Sequence, residues 1–367
     1  MRILLAVGTT AGGTGQHVHD LAAGLVAAGC EVNVAAPADE LARFAVAATG
    51  AATTVLPVTD RPSRGDRKVV TILADLATGA DVVHAHGARV GALAAVALTG
   101  SGIPLVTTLH NAAPPGRLTR FVHAGLERLV ARRSALVLGV STDLVDRQRA
   151  LGARRAMRAV VAAPPPQPVS RDRQQVRIDL RLPPRTSLLV TVGRLAPQKD
   201  LPLLVTAVRA VAAAGESVLS VVAGEGPDRS ALEALIEGTG APVRLLGQRS
   251  DVPDLIAAAD VVVSSARWEG QPVALQEALH AGAAIVATDA GGTADVVGEA
   301  AILVPVGDAE TLSRALLDVI RHGSVRDDLQ SKARERAGEL PDVHAATMAA
   351  LEAYRSVLSD PSGRAMT

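Results

Sequence analysis

Apolar and polar positions along this chain keep two rhythms. Solid apolar runs such as Ile3-Leu4-Leu5-Ala6-Val7 and Val261-Val262-Val263 have no polar face, the pattern of strands buried on both sides of a parallel sheet. Between them lie longer stretches with helical spacing. In the first half, strands are expected at Arg2–Val7, 31–35, 51–58, 81–86, 104–110, 135–141 and 159–163. Helices are expected near 16–28, 37–48, 68–79, 88–99, 117–133 and 142–151. Ala163-Pro164-Pro165-Pro166-Gln167-Pro168 then forms a stiff, extended linker. The alternation resumes with a helix at 171–181 and strands at 187–193, 218–223, 243–246, 260–264, 284–287 and 301–304. Helical patterns at 308–321, 324–338 and 341–357 close the chain. Such alternation predicts an α/β fold whose parallel sheets are wrapped on both faces, with ligands at the carboxyl ends of the strands. The expected domains are 1–166 and 167–340, followed by a last helix in 341–359 and a disordered tail, 360–367.

The richest stretch follows Val263. Pro272 has the look of a first helical position, and Gly282 of a residue just past the helix end. Glu269 therefore falls on the entering loop and Glu277 on the second turn, around a helix N-terminus that attracts phosphate. Carboxylates beside an anion site make chemical sense if they hold hydroxyls. A nucleotide sugar carries both kinds of group. Arg194 and Lys199, in Gly193-Arg194-Leu195-Ala196-Pro197-Gln198-Lys199, leave a strand end as two cations suited to a diphosphate, although a solvated basic loop would look the same. Gly224-Glu225-Gly226-Pro227 and Gly247-Gln248-Arg249 leave the next two strands, Arg249 as a candidate wall of a base pocket. The glycines of 8–15 do not fit G-x-G-x-x-G, and a tight turn accounts for them as well as ligand contact does. His84, His86 and His110 also fall at strand ends. With no further ligand nearby in sequence, one core-facing and one cleft-facing histidine explains His84 and His86 better than a metal pair.

Arg194 with Lys199, Gly224-x-Gly226-Pro227, Glu269-x7-Glu277 and Gly291-Gly292, in this order, resemble the donor domain of retaining glycosyltransferases of family 4. Gly12-Gly13-Thr14-Gly15 and Thr108-Leu109-His110 resemble that family's first domain. The resemblance implies the GT-B architecture: two Rossmann-like domains facing a cleft, with the C-terminal helix crossing back to the N-terminal domain. It implies catalytic roles for Arg194, Lys199, Glu269 and His110. Donor contacts would come from Gly13, Thr14, Gly15, Gly193, Gly224, Gly226, Arg249, Gly270, Gln271, Pro272, Val273 and Glu277. The reaction would move a hexose from a UDP- or GDP-sugar to a hydroxyl acceptor with retention, in cell-envelope polysaccharide, glycolipid or small-glycoside synthesis. Gln271 departs from the phenylalanine frequent in the family, which leaves donor identity open. A GT-B sugar-nucleotide epimerase and a non-catalytic glycosyltransferase-like binding protein are the alternatives. The first would need acid/base carboxylates around the sugar, and intact Arg194, Lys199, Glu269, Glu277 and His110 argue against the second.

Composition narrows the partners. The chain has 367 residues and no net charge, yet residues 1–166 hold 17 Lys+Arg against 11 Asp+Glu, and residues 167–367 hold 20 against 26. A basic front half suits nucleic acid, an anionic acceptor or an anionic membrane. One Trp, one Tyr and two Phe leave little with which to stack bases, so nucleic acid is not expected. Arg117, Arg120, Arg128, Arg132 and Arg133 share a helix with Leu118, Phe121, Val122, Leu126 and Leu129. That helix is either an ordinary surface helix or a peripheral membrane contact, with the apolar residues as its buried face. A lone cysteine, Cys30, and a start too short for a signal peptide point to the cytoplasm. Asp-x-Asp is absent from the sequence, so neither a metal nor another cofactor is expected.

Overall fold

The computed structural model describes residues 1–10, 12–59, 62–111 and 117–359. The tail 360–367 lies outside these. Contacts divide the chain into two compact units: residues 1–163 together with the segment that begins at Pro341, and Pro164–Leu340.

Unit 1 runs β1 (Arg2–Val7), α1 (Gly12–Ala27), β2 (Glu31–Ala36), α2 (Ala38–Arg43), β3 (Ala52–Val55), α3 (Asp66–Ala77), β4 (Val82–His86), α4 (Ala88–Ala97), β5 (Leu105–Leu109), α5 (Arg117–Arg133), β6 (Leu136–Gly139), α6 (Thr142–Ala150) and β7 (Ala156–Arg158). Its strands form one parallel sheet in the order β3-β2-β1-β4-β5-β6-β7. The alternation along β1 is decisive for packing. Ile3, Leu5 and Val7 enter one core with α1, while Leu4 and Ala6 enter another with α3 and α4.

Unit 2 runs α7 (Arg173–Asp179), β8 (Ser187–Val192), α8 (Leu201–Ala213), β9 (Val218–Ala223), α9 (Arg229–Thr239), β10 (Val243–Gly247), α10 (Val252–Ala258), β11 (Val261–Ser264), α11 (Val273–His280), β12 (Ile285–Thr288), α12 (Thr293–Val297), β13 (Ala301–Val304), α13 (Ala309–Arg321) and α14 (Gly323–Glu339). The sheet order is β10-β9-β8-β11-β12-β13, again parallel. Leu189, Val261 and Val263 face one core, and Leu188, Val190 and Val262 the other. Asp254, buried on α10, accepts from the Ser170 N–H (2.7 Å) and hydroxyl (2.8 Å) and from Arg171, which fixes the start of the unit.

The last helix, α15 (Val343–Leu358), belongs to unit 1. Its Ala350, Leu351, Tyr354 and Val357 complete the core on the α1 side of the sheet. The C-terminal helix thus returns to the N-terminal domain, and the two-sheet α/β organisation is the one the sequence predicts.

Four local expectations change. The stretch 37–48 is not one helix: α2 ends at Arg43, Ala45 turns left-handed (φ 46°), and Val46–Thr49 form a 3₁₀ turn. The seventh strand is 156–158 rather than 159–163, because its pairing with β6 starts at Val137↔Ala156. Helix α1 begins at Gly12, so Gly13, Thr14 and Gly15 form its first turn and not a loop ahead of it. Packing outweighs the poor helix propensity of glycine here: a Cβ on Gly15 would lie 2.0 Å from the Phe44 ring. On α5, Phe121 is 79 % exposed and Val122 is exposed as well, so they do not line its buried face. That face carries Val130, Ala131 and a buried Glu127, which Arg147 of α6 (2.6 Å) and His123 (3.3 Å) hold as a paired carboxylate.

Helices α1 and α15 approach closely where α1 carries Gly24. A Cβ there would fall 2.0 Å from Thr347 Oγ1, a hydroxyl already donating to Val343 O at 2.7 Å. Gly24→Val is therefore expected to destabilise unit 1 by about 1–3 kcal/mol through overpacking. Urea unfolding reads this, and an unchanged midpoint would contradict the close crossing.

Candidate active site

The carboxyl ends of the unit 2 strands hold most of the residues singled out in the sequence. The loop after β8 contains Arg194 and, in a 3₁₀ turn over Pro197–Lys199, Lys199. The next residue, Asp200, is left-handed (φ 44°) and buried. This conformation is tolerable for an aspartate. It turns the chain into α8 and presents the carboxylate to Arg267, whose Nε and Nη2 donate to it at 2.9 and 3.2 Å. Further bonds tie the same loop to the one after β11. Arg267 N–H donates to Gln198 O (2.8 Å), Gln198 Nε2 to Trp268 O (2.8 Å) and Ser265 Oγ to Lys199 O (2.9 Å).

That stitching brings Lys199 Nζ onto Glu269 Oε1 as an ion pair. Glu269 is buried, 6 % exposed, while the Lys199 side chain is partly exposed. The pair leaves further ammonium donors and a second carboxylate oxygen for other partners. Glu269 O also accepts from Gly292 N–H (2.7 Å), so the loop is held from the β12 side as well. Gly270, Gln271 and Pro272 then lead into α11. Pro272 is the residue before the first helical position, Val273, one place later than the sequence suggested. Leu275 and Gln276 N–H both return to Pro272 O, leaving those of Val273 and Ala274 in the first turn without an intrahelical acceptor. Glu277 is half-buried one turn on, and its carboxylate has no hydrogen-bond or ion-pair partner among the described residues. Burial pushes its carboxyl above the usual range.

Arg194 is exposed and likewise unpaired among the described residues. Its position is set by two glycines on the neighbouring loop. A Cβ at Gly224 would lie 1.9 Å from Gly193 O, and one at Gly226 would lie 2.2 Å from Leu195 O. These glycines let the β9 loop stack under the β8 loop, with Leu195 N–H donating to Glu225 O at 2.9 Å. Arg249 is engaged elsewhere: its fork donates to Asp251 at 2.7 and 2.6 Å, and Arg249 and then Arg171 hold the Asp251 carboxyl below its ordinary range.

Unit 1 gathers a second cluster. His86 ends β4, His110 follows β5, and His17 comes from the second turn of α1. His86 Nδ1 and His110 Nε2 are 3.1 Å apart, and the His17 ring lies 5.6 and 5.5 Å from theirs. Beneath them His84 uses both nitrogens, bonding the Tyr354 hydroxyl and Thr108 Oγ1 at 2.7 Å each. His84 is thus the core-facing member, but His86 is buried as well, 3 % exposed, rather than facing outward, and it is His110 that keeps part of its surface exposed. Sequence spacing gives no hint of His17. Only the adjacency of α1 to the ends of β4 and β5 does. Burial lowers His17 to about 4 and His84 to about 3, with His17 adding to the latter; His86 and His110 also lie well below 6.5, again through burial first and then through their imidazole neighbours.

Histidines buried neutral make stability fall with acid. The unfolded chain binds more protons below about 6.5, so stability is complete above that pH and declines as pH drops toward the folded values near 4 and below. His17 alone is expected to remove roughly 2 kcal/mol by pH ~4.5. Urea melts in metal-free buffer between pH ~7 and ~4.5 test this. A flat profile would show that the cluster is not buried neutral.

Against known proteins, residues 172–336 match the family of glycosyl transferases group 1, and residues 12–164 match the glycosyl transferase 4-like domain. The chain is 29 % identical over 342 residues to the phosphatidyl-myo-inositol mannosyltransferase of Mycolicibacterium smegmatis, covering 89 % of this chain and 85 % of that protein. It is 28 % identical over 312 residues to the 2-deoxystreptamine N-acetyl-D-glucosaminyltransferase of Streptomyces fradiae, covering 77 % and 72 %. Among solved structures, Anabaena HepE in complex with UDP superposes with a TM-score of 0.80 at 21 % identity, over 97 % of this chain and 100 % of that one. At that identity the likeness speaks to fold, and the fold is GT-B. Sequence matches that run through both sheets agree with it, and the chain belongs to the group 1 glycosyl transferases.

Proposed function

We propose that this glycosyltransferase moves a hexose from a nucleoside diphosphate sugar to a hydroxyl acceptor with retention of configuration, and without a metal ion. The Lys199–Glu269 pair beside the N-terminus of α11 carries this reading. It places a cation, a hydroxyl-binding carboxylate and first-turn N–H groups within one stretch of loops, which suits the two chemical faces of a nucleotide sugar. Arg194 and Lys199 neutralise the diphosphate as the bond from the anomeric carbon to phosphate oxygen breaks. The acceptor oxygen bonds to that carbon on the same face, and its proton passes to the departing phosphate oxygen. Glu277 holds the ribose hydroxyls, Glu269 a sugar hydroxyl, and His110 a further group of the sugar.

UDP and UDP-glucose were bound in HepE structures, so UDP-sugars head the donor panel. Relatives are named for phosphatidyl-myo-inositol, D-inositol 3-phosphate and 2-deoxystreptamine, which makes hydroxylated ring compounds the first acceptors to assay. The exposed Phe121 and Val122, on the helix that carries Arg120, Arg128, Arg132 and Arg133, support peripheral docking on an anionic membrane in the cytoplasm.

The residue to mutate follows from burial. Removing Lys199 would strand a buried carboxylate at a cost of about 3–5 kcal/mol, mixing stability with catalysis. Arg194 is exposed, so Arg194→Ala should leave the melting temperature near that of the parent while lowering kcat by about 10²–10³-fold. Glu277→Gln should instead weaken donor binding at least as much as it slows turnover. Both are read in donor-saturation assays run in EDTA, which should not reduce the parent rate, with the product anomer assigned by NMR. An inverted product, or strict dependence on Mn²⁺ or Mg²⁺, would overturn the mechanism. Docking is read separately: the protein should sediment with anionic liposomes at low salt and be released by high salt, whereas failure to sediment at low salt removes the membrane contact.

A further inference from the structure

Three histidines from separate elements of unit 1 offer one ring nitrogen each within 4.8 Å of one another: His17, His86 and His110. His17 and His86 are buried, and His110 is partly exposed. His86 meets His110 through Nδ1, and its other ring nitrogen, Nε2, is buried with no hydrogen-bond partner among the described residues. We propose that His17, His86 and His110 form a three-imidazole site for a divalent transition-metal ion of the zinc class.

Four arguments support it. Imidazole suits Zn²⁺, Co²⁺, Ni²⁺ and Cu²⁺, and three histidines with a fourth position open is an established zinc arrangement. A metal at ~2.0–2.1 Å from each nitrogen would draw the three to about 3.4 Å apart, and two of them, His86 Nδ1 and His110 Nε2, already stand at 3.1 Å. The support beneath is built. The His84 ring lies 4.2 Å from that of His86 and is pinned through both nitrogens by Tyr354 and Thr108, so His84 braces the cluster without offering a ligand atom. Burial keeps the imidazoles neutral, the form that ligates. Magnesium and calcium, which take oxygen ligands, do not suit the site. The fourth position opens on the His110 side.

The site has a consequence that rests on the donor reading above. A metal held by His110 removes that imidazole from the donor sugar, so Zn²⁺ would act as an inhibitor of an enzyme that needs no metal.

The experiment uses the full-length protein stripped with EDTA and dialysed. Zn²⁺ is titrated calorimetrically, and Co²⁺ by the visible absorption of a low-coordinate cobalt–imidazole centre. One equivalent is expected to bind the parent, with affinity weakened at least about 100-fold in His17→Gln. The same loss is expected in His110→Asn, whose partly exposed position spares the fold should His17→Gln unfold. Excess Mg²⁺ should not displace the bound Zn²⁺. Absence of saturable Zn²⁺ binding in the parent, or equal affinity in both variants, overturns the site. UDP-sugar binding is then measured with and without Zn²⁺. If Zn²⁺ binds and the donor is excluded, both readings stand. If Zn²⁺ binds and donor affinity is unchanged, the metal site stands and the role of His110 toward the sugar falls.

Discussion

The ion pair between Lys199 and Glu269 is the constraint on which the site of unit 2 depends. A carboxylate as buried as that of Glu269 is costly unless a cation faces it. The ammonium that faces it comes from a loop on a different strand, so the two loops cannot move independently without exposing or orphaning a charge. Backbone and side-chain bonds between residues 198–200 and 265–268 spread that constraint over several groups. Preorganisation of this kind is what electrostatic catalysis requires, because a site that must rearrange to meet developing charge loses much of the benefit.

The glycines of unit 2 show a division of labour. Gly224 and Gly226 touch backbone of the adjacent loop at distances that exclude any side chain. Their effect on Arg194 is indirect: they set the height of the loop from which the arginine projects. The unpaired groups, Arg194 and Glu277, sit at the rim of this locked frame. A scaffold with its own charges satisfied and a few left over is the arrangement expected of a binding site on rigid elements.

Much of this was legible in the sequence, for reasons that differ by residue. Strands buried on both faces write themselves as solid apolar runs, so both sheets and most helix spans could be placed. Pro272 and Gly282 mark α11 because their backbone chemistry is local. The misplacements share one cause, a distant partner deciding a local question. Phe44 packs on Gly15, inside the first turn of α1, where only a glycine fits. Arg147 makes a buried face out of the side of α5 that carries Glu127, turning Phe121 outward. The histidine cluster was hidden for the same reason, since His17, His86 and His110 meet only through the order of strands in the sheet.

Tyr354 illustrates a different consequence of topology. It is fully buried in the core of the first unit and bonds His84 there, yet it lies close to the end of the chain. On a ribosome, residues 1–163 emerge long before α15, and until it arrives the core that α1 and the sheet form lacks Ala350, Leu351, Tyr354 and Val357. The second unit carries no such debt, because its segments are contiguous. Synthesis order and folding order are therefore decoupled: the first unit to be made is the last that can be finished. A chain stopped anywhere before Val343 would carry an open apolar face, the kind of surface that chaperones and proteases recognise.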